Sequence, residues 1–315
     1  MSNRTLADIY ATPTVRALAR ELGVDLSHVE ASGPKGRILR EDVQRYIKSA
    51  LSHTPAIASE APQAFIPQTA RPPAPVAAPI ALPDFGKFGA IERKPLSRIQ
   101  RISGPALHRA WITIPHVTNF DEADITDLEA YRVTLNADAK ADKLTILAFL
   151  MKLSALTLRK FPEINASLDG DTLILKRYVH VGFAVDTPGG LLVPVVRDCD
   201  TKGVREIARN ISDLSTRARD GKLKADDMQG GTFSISSLGG IGGTGFTPII
   251  NAPEIAILGA ARASIKPVWN GAEFTPRLIL PLSMSWDHRA IDGAIAARFL
   301  AHLTYLLADL RRALL

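Results

Sequence analysis

The chain has 315 residues, of which 38 are basic and 32 acidic, so its formal net charge is +6. Hydrophobic residues make up 46% of the sequence, a share that excludes a fully disordered chain, and the length predicts about two domains. The positive charge forms no block or stripe and no nucleic-acid-reading motif is present, so we expect no nucleic acid partner.

The sequence also limits the compartment of the protein. Cys199 is the only cysteine, which rules out an intrachain disulfide and favours a reducing environment. The first residues, MSNRTLADIY, lack the apolar segment of a secretory signal. The most apolar helical stretch, 145–158, contains Lys152 and is shorter than the roughly 20 residues that span a bilayer. We therefore expect a cytoplasmic protein with no membrane partner.

The first 50 residues predict a small all-α domain. Thr12 and Pro13 are typical of a helix start, and an apolar stripe follows over 15–22 until a glycine ends the helix. A glycine-containing loop leads to a second helix predicted over 39–47. A unit of this size buries little core, so docking is a more plausible role for it than catalysis.

Residues 51–83 hold eight prolines and nine alanines but only two charged side chains. Proline favours extended conformations, so this composition predicts a semi-rigid linker. A long loop inside one domain is the alternative, but loops of that length are uncommon in compact folds. The predicted organisation is therefore a head (1–50), a linker (51–83) and a body (84–315).

Helical and strand periods alternate through the body, which predicts an α/β fold in a single domain. A strongly apolar helix follows Thr145 and ends before Pro162. The other predicted elements are strands at 179–185, 191–196, 232–237, 254–259 and 277–286, and helices near 204–221 and at 294–314.

His288, Asp292 and Gly293 form an HxxxDG pattern between the last predicted strand and the last predicted helix. A histidine, with an ordinary pKa of about 6.5, can take a proton from a thiol at neutral pH and return it. Asp292 would then orient backbone or partner groups around the imidazole. The alternative is a helix-capping aspartate beside a histidine at a strand edge, and the motif alone does not separate the two interpretations.

A second candidate lies where a strand runs into a glycine-rich segment, residues 230–243. Strand alternation places Thr232, Ser234 and Ser236 on one face. A hydroxyl at the end of the strand, such as that of Ser236, can donate a hydrogen bond to a developing oxyanion. No helix is predicted after the glycines, which excludes a phosphate-binding loop and favours tight turns.

The remaining candidates point to structural roles. Cys199 has only Arg197 as a cationic neighbour in the sequence, so we do not expect a nucleophilic thiol. No other histidine has the spacing of a metal ligand, and with a single cysteine no metal site is expected. These histidines are interpreted as structural or solvated: His28, His53, His108, His116, His180 and His302.

Over nearly its whole length the chain resembles the acyltransferase components of 2-oxo acid dehydrogenase complexes. The resemblance rests on TPTVRALARELGVDLSHVEASGPKGRILREDV in the head and on IPHVTNFDEADITDLEAYR, VGFAVDTPGGLLVPVVRD, FSISSLGGIGGTGFTPIINAPEIAILG and LPLSMSWDHRAIDG in the body. It implies a mixed-sheet α/β catalytic domain similar to chloramphenicol acetyltransferase, preceded by an all-α peripheral subunit-binding domain. The FSISS block resembles the acetyl-transferring, pyruvate dehydrogenase branch.

The resemblance also implies roles for individual residues. His288 would deprotonate the thiol of coenzyme A or dihydrolipoamide, Ser236 would stabilise the tetrahedral oxyanion, and Asp292 would orient the site. Coenzyme A and acetyl-coenzyme A would be substrates. Family members form homotrimers with active sites between subunits, so His288 and Ser236 are expected to come from different chains, in trimers that assemble into a larger core.

Partners follow from the same resemblance. Arg16 and Arg37 match basic positions that bind acidic patches on the decarboxylase (pyruvate dehydrogenase) or on dihydrolipoamide dehydrogenase, with solvated surface side chains as the alternative. Family members begin with lipoyl domains, and none precedes Tyr10 here. We therefore expect the lipoyl group in trans, from a separate lipoyl domain, unless the sequence is truncated or the acyl carrier differs.

Two other functions remain open at this point. The first is a non-catalytic scaffold that organises the complex and recruits the dehydrogenase. The second is a coenzyme A-dependent acyltransferase that uses another acyl group or another thiol carrier. The intact HxxxDG residues argue against the scaffold. The missing lipoyl domain keeps the second alternative open.

Overall fold

The computed structural model describes residues 10–52, 81–137 and 142–314. The chain forms two compact units that divide between Lys87 and Phe88. Most of the predicted linker, residues 53–80, lies outside the described residues.

The first unit contains the two predicted helices, α1 (Pro13–Glu21) and α2 (Arg40–Ser52). Two short 3-10 turns lie in the connection between them. Its core is small and is made by Val15, Val29, Ile38 and Val43. The prediction of a small all-α head is confirmed.

The second unit contains five α-helices and eleven strands within the residues that the structure describes. The helices are α3 (Arg98–Thr113), α4 (Thr126–Leu135), α5 (Ile146–Lys160), α6 (Val204–Arg219) and α7 (Gly293–Ala308). The strands are β1 (His116–Asp124), β2 (Ala166–Asp169), β3 (Thr172–Leu175), β4 (Val181–Phe183), β5 (Val185–Thr187), β6 (Gly190–Leu192), β7 (Val195–Val196), β8 (Phe233–Ser237), β9 (Ala256–Ala260), β10 (Ser264–Trp269) and β11 (Phe274–Asp287).

Seven strands form the main sheet, in the order β1-β11-β9-β8-β4-β7, and β10 pairs with the first half of β11. β8 runs parallel to β4 and β9, whereas the other pairs are antiparallel. The expected mixed sheet is therefore confirmed. The short hairpins β2–β3 and β5–β6 lie outside this sheet.

The two faces of the main sheet differ in chemistry. One face carries Phe233, Leu258 and Trp286 into the core, which also contains the apolar sides of α5 and α7. Because neighbouring strand residues point to opposite faces, Ser234, Ser236, Ser283, Ser285 and Thr118 lie on the other face. We call this second face the hydroxyl face.

Several predicted boundaries were wrong. The predicted strands at 179–185 and 191–196 each divide into two short strands, because only β4 and β7 pair within the main sheet while β5 and β6 form a separate hairpin. The last helix ends at Ala308 rather than 314, since Asp309 adopts an extended conformation and a 3-10 turn follows. No described helix is both long and apolar enough to cross a membrane.

Candidate active site

His288 lies in the turn that joins the end of β11 to α7. Its backbone N–H donates to the Pro115 carbonyl at 3.2 Å, and the preceding Asp287 N–H donates to the Ile255 carbonyl at 2.9 Å. The imidazole lies 4.8 Å from the Trp286 ring and is exposed in the single chain. Two neighbouring segments therefore hold the backbone of His288, while its ring is free to meet another molecule.

Asp292 is the N-cap residue of α7. Its side chain accepts a hydrogen bond from the Ile295 N–H at 2.9 Å, which is the capping role that the sequence left as an alternative. In the described part of the chain no hydrogen bond joins Asp292 to His288. Any orienting effect of Asp292 on the imidazole therefore acts through the turn and the start of α7.

A carboxylate that the sequence analysis missed does pair beside His288. Buried Asp287 accepts from Arg289 Nη2 at 2.7 Å and from Arg289 Nε at 3.0 Å. This hydrogen bonding raises the pKa of Arg289 above its ordinary value. In the sequence this pair is visible as an acidic and a basic residue on either side of His288. In the structure the pair fixes the turn that carries His288.

Ser236 lies on the hydroxyl face near the end of β8. Across the sheet it is paired with Gly259 of β9, then with Ser283 of β11 and Phe120 of β1. The Ser236 side chain is half-buried. In this row the residues on β9 and β11 are a glycine and a serine, and only the residue on β1, Phe120, is large.

The single chain does not bring Ser236 and His288 together. Along β11, Asp287 is four residues from Ser283, the residue in the row of Ser236, and this corresponds to about 14 Å. Across the sheet, β8 and β11 are separated by two strand spacings, about 10 Å in total. An oxyanion donor must lie roughly 3 Å from the oxygen that it stabilises. Within one chain these two side chains therefore cannot act on the same carbonyl group.

Glu254 is a buried carboxyl that the sequence analysis did not single out. It is 3% exposed, and its Oε1 accepts from Ser234 Oγ at 3.0 Å and from Asn251 Nδ2 at 3.1 Å. Burial raises its pKa to about 7, since desolvation penalises the charged form. No local sequence pattern marks it, because its burial results from the packing of segment 251–254 against β8.

His116 has the structural role expected from the sequence. Its Nδ1 donates to the Ile114 carbonyl at 2.8 Å, and its Nε2 accepts from the Ile250 N–H at 3.1 Å. The ring also lies 5.5 Å from that of Trp111. His116 therefore ties the residues before β1, which hold the His288 backbone, to the segment that precedes β9.

Cys199 is fully buried, and burial raises the pKa of its thiol to about 12. The expectation that Arg197 is its only cationic neighbour was wrong, because the cations that act on the thiol are Lys152 of α5 and Lys202 of the loop before α6. Their effect is smaller than that of burial. Among the described residues no group of three His, Cys, Asp or Glu side chains is arranged to hold a metal ion.

Two cavities in the described part of the body contain neither His288 nor Ser236. The larger, of about 960 Å³, is mostly apolar and lies between α4, α5 and the C-terminal 3-10 turn. The smaller, of about 370 Å³, lies at the end of β8 against the start of α5 and is lined by Ser237 and Arg262. Ser237 faces away from the hydroxyl face, so this cavity is on the other side of the sheet from the Ser236 side chain.

The two predicted docking residues of the head are both half-buried. Arg37 Nη2 donates to Tyr10 Oη at 2.6 Å, and its guanidinium lies 4.6 Å from the centre of the Tyr10 ring. Arg16 Nε donates to the Ala11 carbonyl at 3.3 Å. The Tyr10 contact therefore holds the Arg37 guanidinium in one orientation.

Comparison with protein families gives two matches. The catalytic domain of the 2-oxoacid dehydrogenases acyltransferase matches residues 88–315, and an e3 binding domain matches residues 9–44. The chain is 57% identical over 313 residues to the dihydrolipoyllysine-residue acetyltransferase component of the pyruvate dehydrogenase complex of Cupriavidus necator, covering 97% of this chain and 55% of that protein. The same component of Pseudomonas aeruginosa is 52% identical over 98% of this chain and 55% of its own length. The chain thus spans about half the length of these curated relatives.

Two solved structures are similar to this chain, each with a TM-score of 0.74. In both cases the match covers 76% of this chain and the whole of the other chain. One, 55% identical, is the cubic core of the pyruvate dehydrogenase multienzyme complex. The other, 53% identical, is the dihydrolipoamide acetyltransferase of Azotobacter vinelandii, studied for the roles of a serine, a histidine and an asparagine in its catalytic mechanism.

Proposed function

The chain belongs to the acyltransferase family of the 2-oxoacid dehydrogenases, and from that premise we propose that it transfers an acetyl group between dihydrolipoamide and coenzyme A. The observation that carries the proposal is the spacing of three residues along the sequence. The serine and histidine studied in the Azotobacter vinelandii enzyme are 52 positions apart, and its histidine and asparagine are four apart. Ser236, His288 and Asp292 are separated by the same two intervals.

In this proposal His288 is the general base. The imidazole takes the proton of the coenzyme A or dihydrolipoamide thiol, and the resulting thiolate attacks the carbonyl carbon of the acetyl thioester. The carbon–sulfur bond to the other carrier then breaks, and the proton on His288 goes to the departing sulfur. The exposed ring and the firmly held backbone of His288 suit this exchange.

Ser236 is the proposed oxyanion donor, and Asp292 is a positioning residue. The Ser236 hydroxyl stabilises the negative charge of the tetrahedral intermediate. Asp292 replaces the asparagine of the Azotobacter enzyme, and both side chains offer an Oδ1 that can cap a helix. We therefore expect either residue to cap the helix that follows the His288 turn.

The distance between His288 and Ser236 within one chain supports a site shared by two chains. Helix α3 and strand β1 expose large apolar side chains, with Trp111 59%, Ile112 67% and Phe120 62% exposed. Surfaces of this kind are typical of contacts with another protein. We propose a homotrimer in which His288 of one chain faces Ser236 of the next, and trimers that assemble into a larger core.

We propose that residues 1–50 are a docking domain, 51–83 its linker and 84–315 the catalytic domain. The docking domain binds dihydrolipoamide dehydrogenase or the pyruvate dehydrogenase decarboxylase, with Arg16 and Arg37 in contact with the partner. The transferase site needs no covalent link to a lipoyl arm, so a separate lipoyl domain can present the acyl group in trans. The cytoplasmic location remains a prediction.

The test is acetyl transfer from acetyl-coenzyme A to free dihydrolipoamide by the full chain. His288→Ala is expected to lower kcat by about 10²–10⁴-fold and Ser236→Ala by about 10²–10³-fold. His28→Ala, an exposed histidine of the head, is the matched control and should leave the rate unchanged. Undiminished transfer by the His288 variant would remove the assigned base, and an inactive wild-type chain would favour the scaffold alternative.

A complementation experiment tests the shared site. Each variant alone should retain at most about a hundredth of the wild-type activity. In trimers formed by co-expressing the His288→Ala and Ser236→Ala chains, however, about a quarter of the interfaces combine an intact histidine with an intact serine. Recovery of about that fraction of wild-type activity is expected. No recovery from mixed trimers would refute a site that combines His288 of one chain with Ser236 of the next.

A further inference from the structure

The indole ring of Trp286 lies against the imidazole of His288. Trp286, near the end of β11, is 1% exposed and points into the core. The centre of its ring lies 4.8 Å from that of the imidazole, and the two ring planes are tilted by 39°. Aromatic rings that interact have centres roughly 4.5–7 Å apart, so these two side chains are in contact.

Two further contacts fix the indole ring. Its Nε1–H donates to Asn119 Oδ1 on β1 at 2.9 Å, so the ring cannot turn over without losing this hydrogen bond. A Cβ atom on Gly293 would lie 3.9 Å from Cζ2 of the ring, an ordinary van der Waals distance, so the start of α7 also lies against the indole. The ring therefore supports the His288 turn at the histidine and at its last residue, while β1 holds the ring in one orientation.

The contact with the indole gains importance when His288 is charged. In the proposed reaction the sulfhydryl proton moves to the imidazole, which leaves a thiolate and an imidazolium, and the proton later goes to the departing sulfur. A cation within about 6 Å of the centre of an aromatic face is attracted by the ring quadrupole, most strongly by tryptophan. At 4.8 Å, with a tilt nearer to stacking than to an edge-on contact, Trp286 meets this condition.

We propose that Trp286 is a positioning residue for acetyl transfer, whose ring holds the His288 imidazole and attracts the positive charge that it carries while it has the thiol proton. The inference rests on the proposed function, in which His288 is the general base. Because the attraction is strong only while His288 is charged, it stabilises the transition state more than the resting enzyme. Loss of the ring should therefore slow the chemical step and leave substrate binding unchanged.

The first experiment measures acetyl transfer from acetyl-coenzyme A to free dihydrolipoamide by the full chain. Trp286→Leu is expected to lower kcat by about 2–30-fold, the range of a cation–π attraction, with both KM values unchanged. Trp286→Phe keeps a weaker aromatic ring and should fall between the leucine variant and wild type. Trp269→Leu, the same change on an exposed tryptophan of β10, is the control and should match wild type.

The second experiment separates attraction from packing. Tryptophans that carry one to four fluorine atoms are placed at position 286 alone by nonsense suppression, because fluorine withdraws charge from the face of the ring and leaves its shape nearly unchanged. The kcat is expected to fall with each added fluorine and to approach that of Trp286→Leu with four. The same series at position 269 should leave kcat unchanged.

The outcomes separate this inference from the function on which it rests. Wild-type acetyl transfer with a kcat that is constant along the fluorinated series at position 286 would overturn the inference alone and assign the ring to packing. A wild-type chain that transfers no acetyl group would overturn the proposed function and the inference with it. If Trp286→Leu does not fold, the fluorinated series decides, since these rings keep the volume of tryptophan.

Discussion

The hydroxyl of Ser234 donates a hydrogen bond of 3.0 Å to Oε1 of Glu254, and both side chains are buried, with 2% and 3% exposed. Asn251 donates to the same oxygen, while the second carboxyl oxygen, Oε2, has no hydrogen-bond partner among the described residues. A neutral carboxyl tolerates that environment far better than a carboxylate does. The contact joins β8, two residues before Ser236, to the segment that leads into β9.

Glu254 is expected to make stability depend on pH. Its pKa in the folded chain, about 7, exceeds the ordinary 4.5, so the native state binds this proton more tightly and loses stability as the pH rises from about 4.5 to about 7. Glu254→Gln keeps the acceptor oxygen and removes the titration. Relative to wild type, its free energy of unfolding should therefore increase between about pH 5 and about pH 8, by about 3 kcal/mol at most.

Urea denaturation of both proteins at the two pH values measures this difference. The exposed Glu163→Gln is the control, and its difference from wild type should not change with pH. A pH-independent difference for Glu254→Gln would contradict the assignment of a neutral, buried Glu254.

Asp42 is expected to hold the head together. Its buried carboxylate accepts from Ser32 Oγ at 2.6 Å, from the Ser32 N–H at 3.0 Å and from the Leu39 N–H at 2.9 Å. These hydrogen bonds, led by that of the Ser32 side chain, lower its pKa from 3.8 to about 2. Their stabilisation is thus present above pH 3.8 and is lost as the pH falls towards 2. Asp42→Ala should destabilise the head by about 1.5–3 kcal/mol at neutral pH.

Hydrogen exchange measured by mass spectrometry on the full chain separates head from body. Peptides from 26–46 should exchange faster in Asp42→Ala, with body peptides unchanged, because the loss is local to the head core. The neighbouring Glu41→Gln, an exposed position, is the control. Equal protection of the head in the Asp42 variant and wild type would show that the three hydrogen bonds do not stabilise it.

Two substitutions of Asp292 are expected to differ. Asp292→Asn keeps an oxygen that can accept from the Ile295 N–H, and Asp292→Ala does not. The alanine variant should lose about 1 kcal/mol of unfolding free energy, and the asparagine variant a few tenths at most. Acetyl transfer should persist in Asp292→Asn, in line with the asparagine of the Azotobacter vinelandii enzyme. Equal stability of the alanine variant and wild type would remove the capping role.

Arg37→Ala is expected to weaken the binding of dihydrolipoamide dehydrogenase while leaving acetyl transfer to free dihydrolipoamide unchanged. The loss of affinity should be larger at low salt, because at high salt the charge contact of Arg37 is screened and contributes less to binding in the wild type. Titration calorimetry at two salt concentrations measures it. Lys222→Ala, the same loss of charge on the exposed body surface, is the control and should bind as wild type does. Equal affinity for the Arg37 variant would refute the docking role.

The elements that the sequence predicted well are those with a strong local period. Helices α1, α5 and α6 were predicted within two residues of their ends, since their apolar stripes and flanking proline or glycine act over a few residues. Helix α3 was not predicted because Gly104 and Pro105 interrupt it. Strand β1 was not predicted because all of its side chains except that of Ala123 stay at least partly exposed. Both elements form because tertiary contacts stabilise them although their local sequence signals are weak.

By itself the sequence determined the all-α head, the alternation of hydroxyl and apolar side chains along β8, and the position of His288 between a strand and a helix. Each of these depends on residues within one turn or one strand. Only the tertiary structure decided that His288 and Ser236 lie far apart in one chain and that Glu254 is buried. Those relationships follow from strand order and register, which the burial of the whole core selects from pairings that no local pattern distinguishes.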